Sequence, residues 1–245
     1  MAKRSKKNRE TKQNLNIFIA CEDSKGGLNY IKNLIREYGF YPNDSCYEKK
    51  NITDLKNLVE TVNKSKNIKI VFVDVDDKLN SPTNKQNVNT GIQKAKSNNI
   101  CIIVSNECLE LWFLLHFKNQ TAYIKRENIF KILIKKLLEK KKNVLTKDEI
   151  KNLEDARIKN IDWFKILDED EKNKALQRCK KLIKNKSPLN PWNENPITLM
   201  CCFIEFLEKL KEITNSKLKN KEQKKQIQEL IKKCYPMIGM EIQNV

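Results

Sequence analysis

The sequence has 245 residues, which is enough for one large domain or two small ones. Its 49 Lys and Arg residues outnumber its 31 Asp and Glu residues and give a formal net charge of +18 at pH 7. Such a charge predicts polyanionic partners, nucleic acid above all, and argues against basic substrates. With a hydrophobic fraction of 39% and only 5 Gly and 6 Pro, the chain is expected to fold.

Cysteine usage and the lack of long apolar stretches bear on where the protein works. The eight cysteines lie in apolar runs without a C-x-x-C pair, and His116 is the one histidine of the chain. A zinc module and a disulfide framework are both poorly supported, so a reduced, cytoplasmic protein is expected. No stretch reaches the roughly 20 apolar residues that cross a bilayer, and we therefore expect no membrane partner.

The chain begins with a basic arm, residues 1–13, that is poor in apolar side chains. A flexible, solvated tail and an arm that contacts nucleic acid both fit this composition. The residues of the arm that would contact nucleic acid are Lys3, Arg4, Lys6, Lys7 and Arg9.

From residue 14 to residue 118, apolar runs of strand type alternate with helical patterns. Strands are predicted at 15–20, 45–48, 68–73 and 100–104, and helices at 28–39, 52–62 and up to 97 after a polar loop over 78–86. A helix at 109–117 is apolar nearly all round, which indicates burial. Strands that are apolar on both faces and alternate with helices predict an α/β fold with a parallel sheet flanked by helices.

Beyond residue 118 the strand signal disappears. Helices are predicted at 129–140, 148–153, 171–183, 197–210 and 222–233. We therefore predict four segments, which are the basic arm 1–13, an α/β domain 14–118, a helical domain 119–210 and a basic helical tail 211–245.

Four acidic residues follow two of the predicted strands. Glu22 comes after the first strand, and Asp74, Asp76 and Asp77 come after the strand at 68–73. Ligands of open parallel sheets bind at the carboxyl ends of the strands. Because residues i and i+2 of a strand point to one face, Asp74 and Asp76 are predicted to share one divalent cation while Asp77 points elsewhere. A solvated acidic turn is the alternative.

Three further residues are weaker candidates. Glu110 lies on the apolar helix, where an ionised carboxylate is costly unless a metal ion, or a Lys or Arg of the helical half, neutralises it. His116 fits a hydrogen-bonded core position better than a ligand or catalytic position. Lys25, on the loop after Glu22, is placed to touch a phosphate but fits an exposed turn equally well.

The motifs of several enzyme classes are missing from the sequence. It has no phosphate-binding P-loop, no dinucleotide-binding G-x-G-x-x-G and no nucleophile elbow. Metal-binding carboxylates in a strongly basic protein favour metal-assisted phosphodiester chemistry instead, with Lys and Arg side chains steering the nucleic acid.

Four motifs of the chain together resemble the RloB family. They are Cys21-Glu22-x-x-Lys25, Phe72-Val73-Asp74-Val75-Asp76-Asp77, Ser105-Asn106-x-Cys108-x-Glu110-x-Trp112-x-Leu114-Leu115-His116-Phe117, and Asn195-Pro196-x-Thr198. The resemblance covers roughly residues 3–210, and the motif that starts at Ser105 is its most specific part.

The resemblance implies a Toprim-like nuclease of bacterial antiviral defence, similar to the AbiLii component of an abortive-infection system and linked to restriction loci. It implies Mg²⁺ or Mn²⁺ as cofactor and an ATPase as partner, with DNA and RNA, including tRNA, open as substrates. Glu22 would be the general acid or base, Asp74 and Asp76 the metal ligands, and Glu110 a further ligand. Accessory roles fall to Asp23, Asp77, Ser105 and His116.

The sequence departs from the family pattern at several motif positions. The first motif lacks the second and third glutamates of the family, so any role of those acids is lost or moves to Asp23. Glu107 stands where the family usually has Pro, and Val75 where it has Arg, which weakens a phosphate contact and leaves the metal ligands in place.

Two other functions stay open. A non-catalytic nucleic-acid-binding or regulatory subunit would bind nucleic acid in a salt-dependent way without binding metal. A phosphatase of the haloacid-dehalogenase type also uses Asp-x-Asp after a strand. That type needs its Asp pair on the first strand of the fold, whereas here the strand before Glu22 comes earlier.

Overall fold

The structure, a computed structural model, describes residues 15–22, 25–43, 54–65, 68–140, 158, 161–184 and 190–233. Within these ranges a five-stranded sheet has the order β2-β1-β3-β4-β5. Its strands are β1 (Asn16–Cys21), β2 (Tyr41–Asn43), β3 (Ile68–Asp74), β4 (Ile100–Asn106) and β5 (Ile197–Thr198). Strands β1 to β4 pair in parallel, and β5 runs antiparallel to β4.

Helices follow most of the strands and continue through the C-terminal half. In the same ranges they are α1 (Gly26–Glu37), α2 (Leu55–Asn63), α3 (Pro82–Ser97), α4 (Glu110–Phe117), α5 (Arg126–Lys140), α6 (Trp163–Ile166), α7 (Glu169–Lys184), α8 (Met200–Asn215) and α9 (Asn220–Lys233). The predicted α/β fold class, with helices flanking a mostly parallel sheet and a helical C-terminal region, is confirmed.

Strand β3 is central because nearly all of its side chains are apolar and both of its faces are covered. Ile70 and Val71 are completely buried, and burial of such a side chain contributes about 1.5–3 kcal/mol. The ring of Phe72 meets Phe203 of α8 edge to face at 4.9 Å. Helix α8 therefore packs on the sheet and ties the C-terminal region to the strands that carry the acidic residues.

Helix α3 begins inside the segment predicted as a polar loop. The side chain of Ser81 accepts a hydrogen bond from the backbone N–H of Asn84 at 3.2 Å, and Pro82 lies in the first turn. Both features are typical of a helix N-terminus. The loop is therefore shorter than predicted, and a 3-10 turn over Asp76–Leu79 occupies its first part.

The prediction that no strand follows residue 118 is wrong at one place, β5. This strand has two residues, too few for an apolar pattern, and its pairing with β4 defines it. The Ser105 and Thr198 hydroxyls lie 2.8 Å apart in the buried seam between the two strands. The Cys179 thiol of α7 donates to the carbonyl of Thr198 at 3.2 Å, which fixes β5 from the helical side.

Several predicted elements lie outside the described residues. They are the basic arm 1–13, the strand at 45–48, the helix at 148–153 and the end of the basic tail after residue 233. Strand β2 was not predicted at 41–43. No helix in the described part of the chain is long and apolar enough to cross a bilayer.

Candidate active site

The strand register brings the predicted acidic residues to one edge of the sheet. Cys21 lies opposite Phe72, and Asp74 lies opposite Ser105, so β1, β3 and β4 end close together. Glu22 follows β1 and Glu110 opens α4, which comes just after β4. The charges of Glu110, Glu22 and Asp76 all act on Asp74. We call these four residues, Glu22, Asp74, Asp76 and Glu110, the carboxylate cluster.

Asp74 is the buried centre of the carboxylate cluster. Its Oδ1 accepts a hydrogen bond from the backbone N–H of Leu109 at 2.9 Å, which fixes the side chain at the start of α4. Burial, and then the negative charges of Glu110, Glu22 and Asp76, raise the pKa of Asp74 well above its usual range. A bound cation would reverse this effect, since it favours the ionised form.

Asp76 reaches the cluster from a turn and not from the strand. Its φ of 37° is left-handed, a conformation that Asp tolerates better than most residues. The backbone N–H groups of Val75 and Asp76 donate to the carbonyls of Ser105 and Glu107 at 2.9 and 3.1 Å, and these bonds hold the turn against the end of β4. Because β3 ends at Asp74, the predicted i, i+2 alternation does not apply to Asp76.

Glu22 is a carboxylate whose side chain is 14% exposed and has one bonded oxygen. Its Oε2 accepts a hydrogen bond from Lys78 Nζ at 2.7 Å. Its Oε1 is buried and has no hydrogen-bond partner among the described residues. Burial raises the pKa of Glu22 from 4.5 to about 7, although the Lys78 ammonium opposes this shift. A carboxyl group with a pKa near neutrality suits proton transfer at physiological pH.

Two basic side chains that the sequence did not single out neutralise part of the cluster. Lys78 binds Glu22, and Arg126 Nη1 donates to Asp76 Oδ2 at 2.5 Å. Burial disfavours the charged form of Arg126, but the surrounding acids, Asp76 first, outweigh it and raise the Arg126 pKa. Lys78 stood in the predicted polar loop. Arg126 is the first residue of α5. The sequence indicated it only indirectly, through the expectation that a Lys or Arg of the helical half could neutralise Glu110.

Glu110 and Cys108 complete the edge. Glu110 is 2% exposed and lies in the first turn of α4. The thiol of Cys108 hydrogen-bonds to Glu110, and burial, followed by the charges of Glu110 and Asp74, raises the Cys108 pKa well above its usual range. Cys108 is therefore a neutral neighbour of the carboxylates. Cys108 belongs to the family motif that starts at Ser105, but the sequence analysis gave it no role at the site.

His116 and Ser105 have structural partners. His116 is buried at the far end of α4, where its Nδ1 hydrogen-bonds with the carbonyl of Trp112 at 2.9 Å, and burial lowers its pKa to about 3. It is thus placed in the core and not in the carboxylate cluster. Ser105 lies next to Asp74 in the sheet, but its hydroxyl is hydrogen-bonded to the hydroxyl of Thr198.

The other predicted site residues lie at or beyond the limits of the described part. Lys25 is exposed directly before α1, and its carbonyl accepts a hydrogen bond from the N–H of Asn29 at 2.9 Å. The backbone of Asp77 lies in the 3-10 turn, while its side chain is outside the described part. Asp23 and the five arm residues predicted to contact nucleic acid, Lys3, Arg4, Lys6, Lys7 and Arg9, are also outside it.

The chemistry and charge of the cluster fit a divalent cation, while its spacing does not form a metal site as it stands. Four carboxylates against Lys78 and Arg126 leave two negative charges when all are ionised, and carboxylate oxygens are the ligands that Mg²⁺ prefers. The unbonded Glu22 Oε1 is a further oxygen donor. Among the described residues, no three His, Cys, Asp or Glu side chains are spaced to hold a metal ion. To bind a cation, the carboxylates would therefore have to rearrange, and Asp76 would have to leave its ion pair with Arg126.

Comparison with known proteins gives one match. A family model described as RloB-like protein matches residues 17–207, a range that includes the carboxylate cluster, Lys78 and Arg126. It confirms the family resemblance inferred from the motifs. No curated protein and no solved structure matches the chain.

Proposed function

The chain belongs to the family of RloB-like proteins, and on that premise we propose that it is a Mg²⁺-dependent nuclease that hydrolyses phosphodiester bonds of DNA or RNA. The observation that carries this proposal is the carboxylate cluster itself. Four acids meet at the carboxyl ends of parallel strands in a protein of net charge +18. A basic protein attracts nucleic acid, and a cation bound at the cluster would offset the repulsion among the acids that raises the Asp74 pKa.

Asp74, Asp76 and Glu110 are the residues that would hold the cation. When bound, Mg²⁺ or Mn²⁺ supplies charge stabilisation at the attacked phosphate and lowers the pKa of a nearby water. Asp74 is already fixed by the N–H of Leu109, and the turn that carries Asp76 is fixed to β4 by two backbone hydrogen bonds. The positions of the Asp74 side chain and of the Asp76 backbone are thus fixed, while Asp76 would have to give up its ion pair with Arg126 and the carboxylates would have to draw together around the ion.

Glu22 is the candidate for proton transfer. Its Oε1 lacks a hydrogen-bond partner among the described residues, so it can accept a proton from an attacking water. Its pKa of about 7 lets the carboxyl group give that proton up again, to the leaving oxygen or to solvent. Lys78 holds the other oxygen and so orients the carboxylate.

Arg126 and Lys78 are the candidates for phosphate binding. Lys78 is bonded to Glu22 and Arg126 to Asp76. A cation held by Asp76 would free the Arg126 guanidinium for a phosphate, while Lys78 would stay on Glu22 and could contact a phosphate with its remaining N–H groups. A guanidinium group binds two phosphate oxygens at once, which makes Arg126 the more specific of the two contacts. Lys25, exposed before α1, stays a candidate for a third contact.

The wider biological role rests on the family resemblance. It supports a role in antiviral defence of the abortive-infection type, in the cytoplasm and together with an ATPase that senses infection. The Toprim-like character of the α/β domain is part of the same proposal.

A non-catalytic nucleic-acid-binding or regulatory subunit is the second candidate. The two ion pairs, Lys78 with Glu22 and Arg126 with Asp76, favour it because they neutralise half of the acidic cluster without a metal ion. Such a protein would bind nucleic acid through phosphate contacts and leave it intact.

Cleavage of plasmid DNA and bulk tRNA separates the two candidates. The wild type is compared with Asp74→Asn/Asp76→Asn, in Mg²⁺ and in EDTA. Asn keeps the oxygen that accepts from Leu109 and tolerates the left-handed backbone at position 76. We expect cleavage that needs Mg²⁺ and falls at least about 100-fold in the variant. Binding without cleavage, or cleavage that EDTA and the variant leave unchanged, would contradict the proposed nuclease.

A further inference from the structure

Tyr123 is an exposed aromatic residue on the connection between α4 and α5. Its side chain is 64% exposed, more than any other large hydrophobic side chain in the described part. A single exposed hydrophobic residue is ordinary in a folded protein. Two features distinguish Tyr123. Its neighbours' backbone is fixed by hydrogen bonds, and it lies close in the chain to Arg126, which binds Asp76 of the carboxylate cluster.

The backbone on both sides of Tyr123 is fixed by side chains. Gln120 Nε2 donates to the carbonyl of Ala122 at 2.7 Å. Asn195 accepts from the N–H of Ile124 at 3.1 Å and donates to the carbonyl of Ile124 at 3.2 Å. The side chain of Ile124 is buried. The ring is therefore presented to solvent on a rigid support, which limits the entropy lost when it binds a partner.

The same support is attached to the candidate active site. Asn195 Nδ2 also donates to Glu107 Oε1 at 2.9 Å, and the carbonyl of Glu107 accepts from the N–H of Asp76. Arg126, which binds Asp76, lies three residues after Tyr123, a span of at most about 11 Å along the chain. Lys125, between them, is exposed. Tyr123, Lys125 and Arg126 thus follow one another closely in the chain, and the last of them contacts the carboxylate cluster.

We propose that Tyr123 is a stacking platform for a base of single-stranded nucleic acid, with Lys125 bound to the backbone of the same strand. Only unpaired bases offer a free face to an aromatic ring, whereas duplex bases are stacked on one another. An exposed ammonium group two residues along the chain from the ring suits the phosphate backbone of the stacked strand. The proposal rests on the proposed function for the site to which the strand leads, and it makes single-stranded DNA or RNA the substrate class.

A tryptophan substitution reads out stacking directly. The three native tryptophans, Trp112, Trp163 and Trp192, are at most 1% exposed, so Tyr123→Trp introduces an indole that nucleic acid can reach. Tyr41→Trp is the matched control, because Tyr41 is 56% exposed on β2. Strand β2 is the edge strand at the other end of the sheet from β5, which follows Asn195 in the chain. Each variant is titrated in EDTA with a single-stranded DNA, a single-stranded RNA and a duplex, while tryptophan fluorescence is recorded.

We expect at least one single strand to quench Tyr123→Trp, and Tyr41→Trp to keep its fluorescence. Tyr123→Ala should weaken binding of that strand by roughly 5- to 150-fold without changing its salt dependence, as loss of one stacked base predicts. Lys125→Ala should instead lower the slope of log K against log salt by about 0.7. The strand with the larger response identifies DNA or RNA as the preferred partner.

Equal quenching in the two tryptophan variants, or equal affinities of Tyr123→Ala and Tyr41→Ala, would overturn the stacking platform. The titrations contain no metal ion, so their outcome is independent of cleavage. A protein that cleaves nucleic acid without quenching of Tyr123→Trp would lose only the platform. Quenching in a protein that neither binds metal nor cleaves would keep the platform and remove the nuclease.

Discussion

Glu22 is the residue on which the proton chemistry of the candidate site depends. Its side chain is largely buried, one of its oxygens is bonded to Lys78, and the other, itself buried, has no partner among the described residues. Burial of a carboxylate in this way costs stability whenever the group is ionised. Such a loss of stability is typical of functional sites that need a carboxyl group titrating near neutral pH.

The stability of the metal-free protein should therefore fall as pH rises from 4.5 to about 7. Because the Glu22 pKa is about 7 in the folded chain and 4.5 in the unfolded chain, the folded state binds more protons in this interval, and unfolding becomes easier as they leave. The loss attributable to Glu22 is on the order of 3 kcal/mol. Urea unfolding in EDTA across this interval measures it.

Glu22→Gln is the control for this pH dependence. Gln does not titrate, so the variant should show a flatter stability profile than the wild type over the same interval, to which Asp74, whose pKa is also raised, still contributes. An identical slope in both proteins would show that Glu22 does not titrate as described.

At the scale of helices and strands, the contact between α2 and α3 depends on a glycine. A Cβ at Gly91 of α3 would lie 2.6 Å from Cγ of Leu55 in α2. Gly91→Ala should thus lower the free energy of unfolding by about 1–3 kcal/mol, because overpacking outweighs the gain in helix propensity. Urea unfolding measures the change, with Lys96→Ala on the exposed surface of α3 as control. A Gly91→Ala protein about 1 kcal/mol more stable than the wild type would mean that propensity alone decides.

The elements that the sequence predicts well are those with a long local pattern. The apolar runs of β1, β3 and β4 and the spacing in α1, α2 and α4 were sufficient to place Glu22, Asp74 and Glu110 at one edge. Strand β5 and helix α6 have two and four residues, and tertiary contacts define them. The same holds for Arg126, whose ion pair with Asp76 joins residues 50 positions apart. A local sequence pattern cannot predict a contact between residues so far apart in the chain.

At the scale of the whole molecule, the protein has a net charge of +18, yet the edge of the sheet that carries the carboxylate cluster is acidic. On the proposed function, the basic surface would attract nucleic acid and the acidic edge of the sheet would bind a cation. Arg126 connects them, since it comes from the helical region and binds an acid of the sheet.

The basic arm should contribute to nucleic-acid affinity through charge alone. Deletion of residues 1–13 removes Lys3, Arg4, Lys6, Lys7 and Arg9, together with Lys12 and the acidic Glu10. For a duplex, the slope of log K against log salt changes by about 0.9 for each phosphate that a basic side chain neutralises. We expect the deletion to lower the slope by between about 1 and 4. Fluorescence anisotropy of a labelled duplex at several salt concentrations measures it. An unchanged slope would identify the arm as a solvated tail.

The most direct test of the account is calorimetric titration of Mg²⁺ into the metal-free protein. The carboxylate cluster predicts that the wild type binds the ion and that Asp74→Asn/Asp76→Asn does not. Arg126→Gln should bind it roughly 5- to 10-fold more tightly, because a competing cation is gone. Arg36→Gln, which alters an exposed arginine bonded to Asn33 at 3.0 Å, should match the wild type. If the wild type and the double variant bind Mg²⁺ equally weakly, the cluster is not a metal site and the nuclease proposal fails.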